Sequence, residues 1–407
     1  MSRKPSTSQV PPTSHEPSMS QEPPMSGPLL GVRVLELTAI GPVPFCGALL
    51  ADMGADVVRL DRTVATDAGV AATAQYDFYN RNKRSVALDL KQPQAVEAAL
   101  QLVAHADILL EGFRPGVAER LGLGPQDCRQ RNPKLVYGRM TGWGQDGPLA
   151  QVVGHDINYL ALTGALACIG QQDQPPMPPL NLGADLGGGA MYLAFGVLAA
   201  LHEARNSGQG QVVDAAMIDG VSNLMSAFHA FNQDGRWSAQ REANIVDGGA
   251  PFYRTYETRD GKYVSVGAIE ARFYRALLEV IGLGDADLPE QNDRSAWPAM
   301  RQKFASIFAQ RTRDQWVQAM AGKDACFAPV LSMTEAAEHP QMTQRAVFTQ
   351  FQGALHPSPA PRFSRTPGSL RRAAPEPGQH SAEVLLQWGV SAEHIQALRA
   401  NKAVLER

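Results

Sequence analysis

The stretch GVRVLELTAIGPVPFCGALLADMGADVVRLD, residues 31–61, decides the fold. GVRVLEL (31–37) is a β-branched apolar run, GPVPFCGALLADMG (41–54) carries Pro in its first turn and stops on Gly, and ADVVRLD (55–61) is a second buried run. That is a β-α-β unit. The alternation continues through SVALDL (85–90), the helical AVEAALQLVAHA (95–106), DILLEGF (107–113) and LVYGRMTGW (135–143). The grammar predicts an α/β fold: a large Rossmann-like parallel-sheet domain with helices on both faces, whose ligand lies at the carboxyl ends of the strands.

Outward from this unit, residues 1–28 hold seven Pro and seven Ser, too little apolar mass to offset ordering entropy, and read as a disordered tail. The large domain runs from 29 to 220, with AMYLAFGVLAALHEA as a packing helix and GQGQVVDAAMIDG as a connection, and helices over 221–252 link it onward. From 253 the pattern becomes a hairpin, FYRTYE and KYVSVGAI around Arg259-Asp260-Gly261, opening a smaller α+β domain to about residue 340. Residues 341–407 return to the large domain, Pro-rich and wrapping at first and then an amphipathic helix.

Composition bounds the function. The 407 residues carry 37 basic and 40 acidic side chains, a formal charge of −3, so no global field favours nucleic acid or an anionic membrane. No stretch reads as the roughly 20 uninterrupted apolar residues of a membrane span. Cys46, Cys128, Cys168 and Cys326 have neither disulfide nor zinc spacing, which predicts a reducing, cytoplasmic setting and no metal. Asp61 falls about 20 residues after the opening loop, as in nicotinamide-binding units, but no G-x-G-x-x-G precedes it, and Pro42 and Pro44 remove two amides that would cradle a pyrophosphate. A nicotinamide or flavin cofactor is not expected.

Arg59, Arg62, Arg81, Lys83, Arg84, Lys91, Arg114 and Arg120 crowd the first third, where strand ends would offer them to a phosphorylated ligand; each could equally be a solvated surface cation. Three pieces could carry acid/base chemistry. His155 stands beside Asp156 in the otherwise apolar VVGHDINYLALTGALA, where a hydrogen-bonded core histidine is the plainer reading. Asp185 in NLGADLGGG precedes a Gly-rich helix start and could be a simple N-cap or an ionised base. Glu270 ends the second hairpin strand, ordinarily an exposed position. Met191, Met217 and Met225 could line an apolar pocket, though core packing is the safer assignment.

Taken together, GVRVLELTAIGPVPFCGALLADMGADVVRLDR, NKRSVALDLK, EGFRPGVAERLGLGP, MTGWGQDGP, GHDINYLALTG, PPLNLGADLGGG, GQGQVVDAAMIDG, DGGAPFYRTYETRDGKYVSVGAIE and DACFAPV resemble the racemase branch of the family III CoA-transferase (CaiB/BaiF) superfamily, the α-methylacyl-CoA racemases, from about residue 29 to 370. The resemblance implies an isomerase that interconverts (R)- and (S)-2-methylacyl-CoA thioesters by proton transfer through an enolate. It implies His155, supported by Glu270, on one face and Asp185 on the other, with no metal and no cofactor beyond the coenzyme A of the substrate. Arg62, Lys91, Arg114 and Arg120 would hold coenzyme A, with Asp156 and Tyr159 near the pantetheine. An interlocked homodimer with shared active sites would bring Glu270 from the partner subunit.

An enolate needs its oxyanion stabilised, and amides at the Gly187 and Gly188 helix start would suit that task. Two rivals stand beside this reading: a CoA transferase of the same superfamily, with Asp185 as covalent nucleophile, and a non-catalytic acyl-CoA-binding protein. The presence of His155 opposes the transferase, which has no use for a second base on the far face.

Overall fold

The computed structural model describes residues 25–64 and 73–407; of the tail expected over 1–28, all but its last four residues lie outside them. Five parallel strands follow the expected runs: β1 (Arg33–Leu37), β2 (Asp56–Asp61), β3 (Arg84–Leu88), β4 (Ile108–Glu111) and β5 (Val136–Thr141). A sixth, β6 (Val212–Ala216), lies inside what reads in sequence as a connection. It pairs with β5 at the sheet edge, where only its last two residues are buried, so it lacks the apolar signature of its neighbours.

The parallel order is β3-β2-β1-β4-β5-β6, the arrangement of a doubly wound dinucleotide-type sheet, whose direction of progression reverses between β1 and β4. Helix α1 (Pro42–Asp52) begins with Pro, where a missing amide costs nothing, and the chain leaves it at Gly54, with φ of 94°. It covers one face together with the helix Met191–Ser207; helix α2 (Pro93–Ala104) and the C-terminal helices cover the other.

The small domain has its own core, around Phe252, Phe304, Phe308 and Trp316, on an antiparallel sheet of β7 (Tyr253–Glu257), β8 (Tyr263–Gly267) and β9 (Phe327–Val330). After a hairpin of β10 (Phe348–Phe351) and β11 (Ala354–Pro357), the chain lies back on the large domain. Asn82 takes the Arg371 amide at 2.7 Å, the Asp52 carbonyl takes that of Ser369, and β12 (Val404–Leu405) adds antiparallel to β3.

One helical run, residues 182–207, is long and apolar enough by length and composition to cross a membrane, although Asp185 interrupts its apolar residues. Gly and Ala raise its hydropathy, and half of it is buried, with Leu193, Val197 and Leu201 in the first core. Among the described residues all four cysteines are free and no cluster could hold a metal.

Several cations of the first third are structural. Arg59 pairs with Asp61, Arg81 with Asp52 and Arg84 with Asp56, all within 2.6–2.8 Å. Lys83 is wholly buried, its Nζ 2.8 and 2.7 Å from the two oxygens of an equally buried Glu36, and it also donates to the Pro44 carbonyl and to Asn80 Oδ1. The phosphate-binding reading therefore fails for these four, because carboxylates of β1, α1 and β2 already neutralise them. Burial pushes the Glu36 carboxyl up and the Lys83 ammonium down, while each partner pulls the other back. Lys83→Met should lower stability by about 3–5 kcal/mol by stranding Glu36, and adding Glu36→Leu should restore most of the loss, measured by urea denaturation.

Candidate active site

The carboxyl ends of β1, β4 and β5 enclose a cavity of about 810 Å3, within the roughly 300–1,000 Å3 of small-molecule sites. Its walls are residues 39–44, 112–115 and 140–143, on both sides of the point where the strand order reverses. His155, Tyr159, Asn181 and Asp185 close it, and Tyr79 and Asn80 form a further wall.

Helix α3 (Asp156–Leu162) sets His155. His155 is its exposed N-cap, with its amide donating to Asn158 Oδ1 at 3.0 Å, so the imidazole stands at the helix start facing the cavity. Tyr159, one turn on, is buried; its hydroxyl donates to the Gly154 carbonyl at 2.5 Å and its ring meets the edge of Trp143 at 4.7 Å. A Cβ at Gly142 would come within 2.0 Å of that ring, which is why Gly is needed there.

Asp185 reaches the same cavity from a π-helical segment, Leu182–Ala190, that runs directly into the helix Met191–Ser207. It is not the N-cap that the sequence suggests; the cap position belongs to Asn181, whose side-chain amide donates to Asp185 Oδ2 at 3.4 Å. Gly41, with φ of 70°, brings backbone so close that a Cβ there would lie 3.5 Å from the same oxygen. Burial raises the Asp185 carboxyl above the usual aspartate range. The Asn181 bond opposes the rise, the Asp156 charge adds to it, and His155 lowers it.

The two acid/base candidates thus share one cavity, and Glu270 does not. It is exposed at the start of the helix Ala271–Val280 in the small domain, where its charge is felt by Cys326.

Of the remaining expected residues, Arg114 lines the cavity, while Arg62 and Lys91 lie exposed just beyond β2 and β3 and Arg120 one short helix after Arg114. None of the four forms an ion pair among the described residues, unlike the structural cations. Asp156 is buried, its Oδ1 accepting the amides of Ala184 and Asp185 at 2.7 Å each, which is not the posture of a pantetheine contact.

Gly187 and Gly188 are not free donors: they lie within the π-helical ladder, and Gly188 packs so tightly that a Cβ would lie 2.8 Å from the Val221 amide. Close helix contact, not an oxyanion, accounts for the glycines. Met217 lines the cavity, Met225 packs on the core and Met191 is exposed. Tyr79, Asn80 and Asn181 were missed in sequence; only Asn181 had a signal, its place four residues before Asp185.

The sequence model described as CoA-transferase family III matches residues 29–381. The chain is 47% identical over 379 residues to "Alpha-methylacyl-CoA racemase" of Mus musculus, covering 92% of this chain and 97% of that one. It is 42% identical over 381 residues to the Homo sapiens protein of the same name, with the same coverage. In three dimensions it matches the crystal structure of a CAIB/BAIF family protein from Brucella suis with a TM-score of 0.77 and 24% identity, over 89% of this chain and all of the other, a likeness of fold.

A raised carboxyl pKa means that the folded state binds this proton more tightly than the unfolded chain, so ionising Asp185 costs stability as pH rises through its folded value. Asp185→Asn is therefore expected to melt higher than the wild type at neutral pH. The gap should narrow in acid, measured by thermal melts across pH.

Proposed function

Because the chain belongs to CoA-transferase family III, with racemases among its relatives, we propose that it is an α-methylacyl-CoA racemase: an isomerase that inverts the centre beside the thioester by moving one proton off and another on. The observation that carries the mechanism is the convergence of His155 and Asp185 on one cavity at the switch point of the sheet. In one direction neutral His155 removes the α-proton and protonated Asp185 returns one to the opposite face; the reverse direction uses the opposite protonation states. A positioned acid or base of this kind supplies about 10²–10⁴ in rate. Burial favours the task, since it keeps a proton on Asp185 at higher pH than an exposed aspartate would hold it.

The enolate oxygen requires donors. With Gly187 and Gly188 engaged, the role falls to the first amides of α3, Asp156 and Ile157, which a helix leaves without intrahelical partners. Arg114 at the rim, with Arg62, Lys91 and Arg120 beyond it, would meet the phosphates of coenzyme A. No cofactor enters this chemistry, because the thioester itself acidifies the α-carbon.

Glu270 completes the site only from a second chain: within one chain it is in the other domain, outside the cavity that holds His155. In an interlocked homodimer it would orient the imidazole and stabilise its charged form, as a triad carboxylate does. Such a dimer would also cover Met191 and Phe195, which are 52% and 74% exposed on the apolar first half of their helix.

In D2O, the wild type should wash deuterium into the α-position of a single epimer of a 2-methylacyl-CoA and scramble the centre without any acceptor acid, followed by mass spectrometry and chiral analysis. His155→Ala and Asp185→Ala should each reduce inversion by about 10²–10⁴. No wash-in, with CoA passing instead to an added carboxylic acid, would make Asp185 the nucleophile of a transferase. Co-expressed His155→Ala and Glu270→Ala chains should regain activity that neither has alone, because mixed dimers hold one intact site; no recovery would place Glu270 outside the shared site.

A further inference from the structure

Asp156 occupies an unusual position for a charged residue. It is 6% exposed, it directly follows His155 at the start of α3, and its Oδ1 accepts two amides, those of Ala184 and Asp185, at 2.7 Å each. Its other oxygen, Oδ2, is buried with no hydrogen-bond partner among the described residues. A helix start is ordinarily capped by the side chain just before it. Here that residue, Asn181, turns its amide to the Asp185 carboxylate instead, and the capping oxygen comes from 28 residues upstream. One side chain therefore couples the segment that carries His155 to the segment that carries Asp185.

We propose that Asp156 is a positioning residue for Asp185 and not a coenzyme ligand: one oxygen locks the backbone of residues 184 and 185, and the carboxylate as a whole lies close enough for its charge to act on the Asp185 carboxyl. The kinetic meaning of this rests on the two-base reading above, while the physical coupling stands without it. Two consequences follow from the geometry. Losing the clamp lets the Asp185 backbone drift, and a displacement of about 1 Å at an acid/base group can cost on the order of 100-fold in rate. Losing only the charge leaves the clamp in place but removes a neighbour that favours the protonated carboxyl.

The other groups facing Asp185 are few. From α3 come His155, whose charge acts in the opposite sense, and Tyr159; from the loop after residue 73 comes Tyr79; both phenols are themselves raised by burial and by the Asp185 charge. Gly41, the residue just before α1, brings its backbone close to the carboxyl. On the packed helix Met217–Leu224 the acidic side chain, Asp219, acts on Asp214.

Asp156→Asn is the decisive variant, since an asparagine oxygen can accept the same two amides without the charge; Asp156→Ala removes both. The protein labelled with [γ-13C]aspartate is titrated by NMR, the Asp185 resonance being assigned by its loss in Asp185→Asn, and affinity for free coenzyme A is measured by calorimetry. In Asp156→Asn we expect Asp185 to titrate at lower pH than in the wild type, with coenzyme A affinity held within about twofold. The alkaline limb of the rate in the direction that uses His155 as base should move the same way, because that direction needs Asp185 protonated.

In Asp156→Ala the amides of residues 184 and 185 should exchange faster with solvent and kcat should fall about 100-fold. If the alanine variant does not fold, the asparagine variant alone decides. An unmoved Asp185 titration, or a tenfold or greater loss of coenzyme A affinity in Asp156→Asn, would overturn the proposal. Failure of the racemase reading appears separately, as a wild type that washes in no deuterium, and leaves the titration and binding results standing.

Discussion

The fixed point of the molecule is the ammonium of Lys83, buried without exposure between the two oxygens of Glu36. Taking both charges out of water offsets most of their attraction, so the pair is a weak source of net stability. Its consequence is geometric. The four contacts of Nζ join β1 through Glu36, the first turn of α1 through the Pro44 carbonyl, and the cavity wall through Asn80, all from the residue that precedes β3. A Cβ at Gly47 would come within 1.8 Å of Glu36 Oε2, so α1 can approach the pair only because residue 47 has no side chain. The β1–α1 turn and the first turn of α1, residues 39–44, which meet Asp185 at Gly41, are therefore held from beneath by this buried pair.

That loop explains how a dinucleotide-type strand order serves a different ligand. In the open α/β sheet the reversal between β1 and β4 creates a crevice whatever the loops contain. The loop chemistry then decides what enters. Pro42 and Pro44 withhold amides from a pyrophosphate, and Asp61, the position a ribose would need, is occupied by Arg59, Thr38 and Ser85. What the crevice presents is an imidazole, a half-buried carboxyl and a rim arginine, a set suited to proton transfer beside a thioester.

The strands β1 to β5 were legible because each is a buried parallel strand written as a near-continuous apolar run. β6 was not, since an edge strand exposed along VVD has no such run. His155, Asp185 and Arg114 were legible as members of motifs, and the structure brings them to one cavity. The roles of Asp156, Gly187 and Gly188 were misread for a common reason: sequence shows which groups could bind, while only the fold shows which are already engaged. Two amides claim Asp156, the π-helical ladder claims the glycines, and Asp52, Glu36, Asp56 and Asp61 claim four of the eight cations in the basic cluster.

Inverting a centre between two thioesters of equal energy sets one further demand on such a site, that it run both ways at one pH. An ordinary aspartate and an ordinary histidine differ by roughly 2.6 pH units, so a pair left in water would spend most of its time with the proton on the imidazole and the carboxylate bare. That distribution supports only one direction well. The structure moves Asp185 toward the imidazole from the carboxyl side, first by burial and then through the Asp156 charge, against the pull of Asn181 and His155. The imidazole stays exposed at its helix start. Burial thus raises the proton affinity on the carboxyl side of the pair, and the clamp on the Asp185 backbone begins on the residue that follows His155.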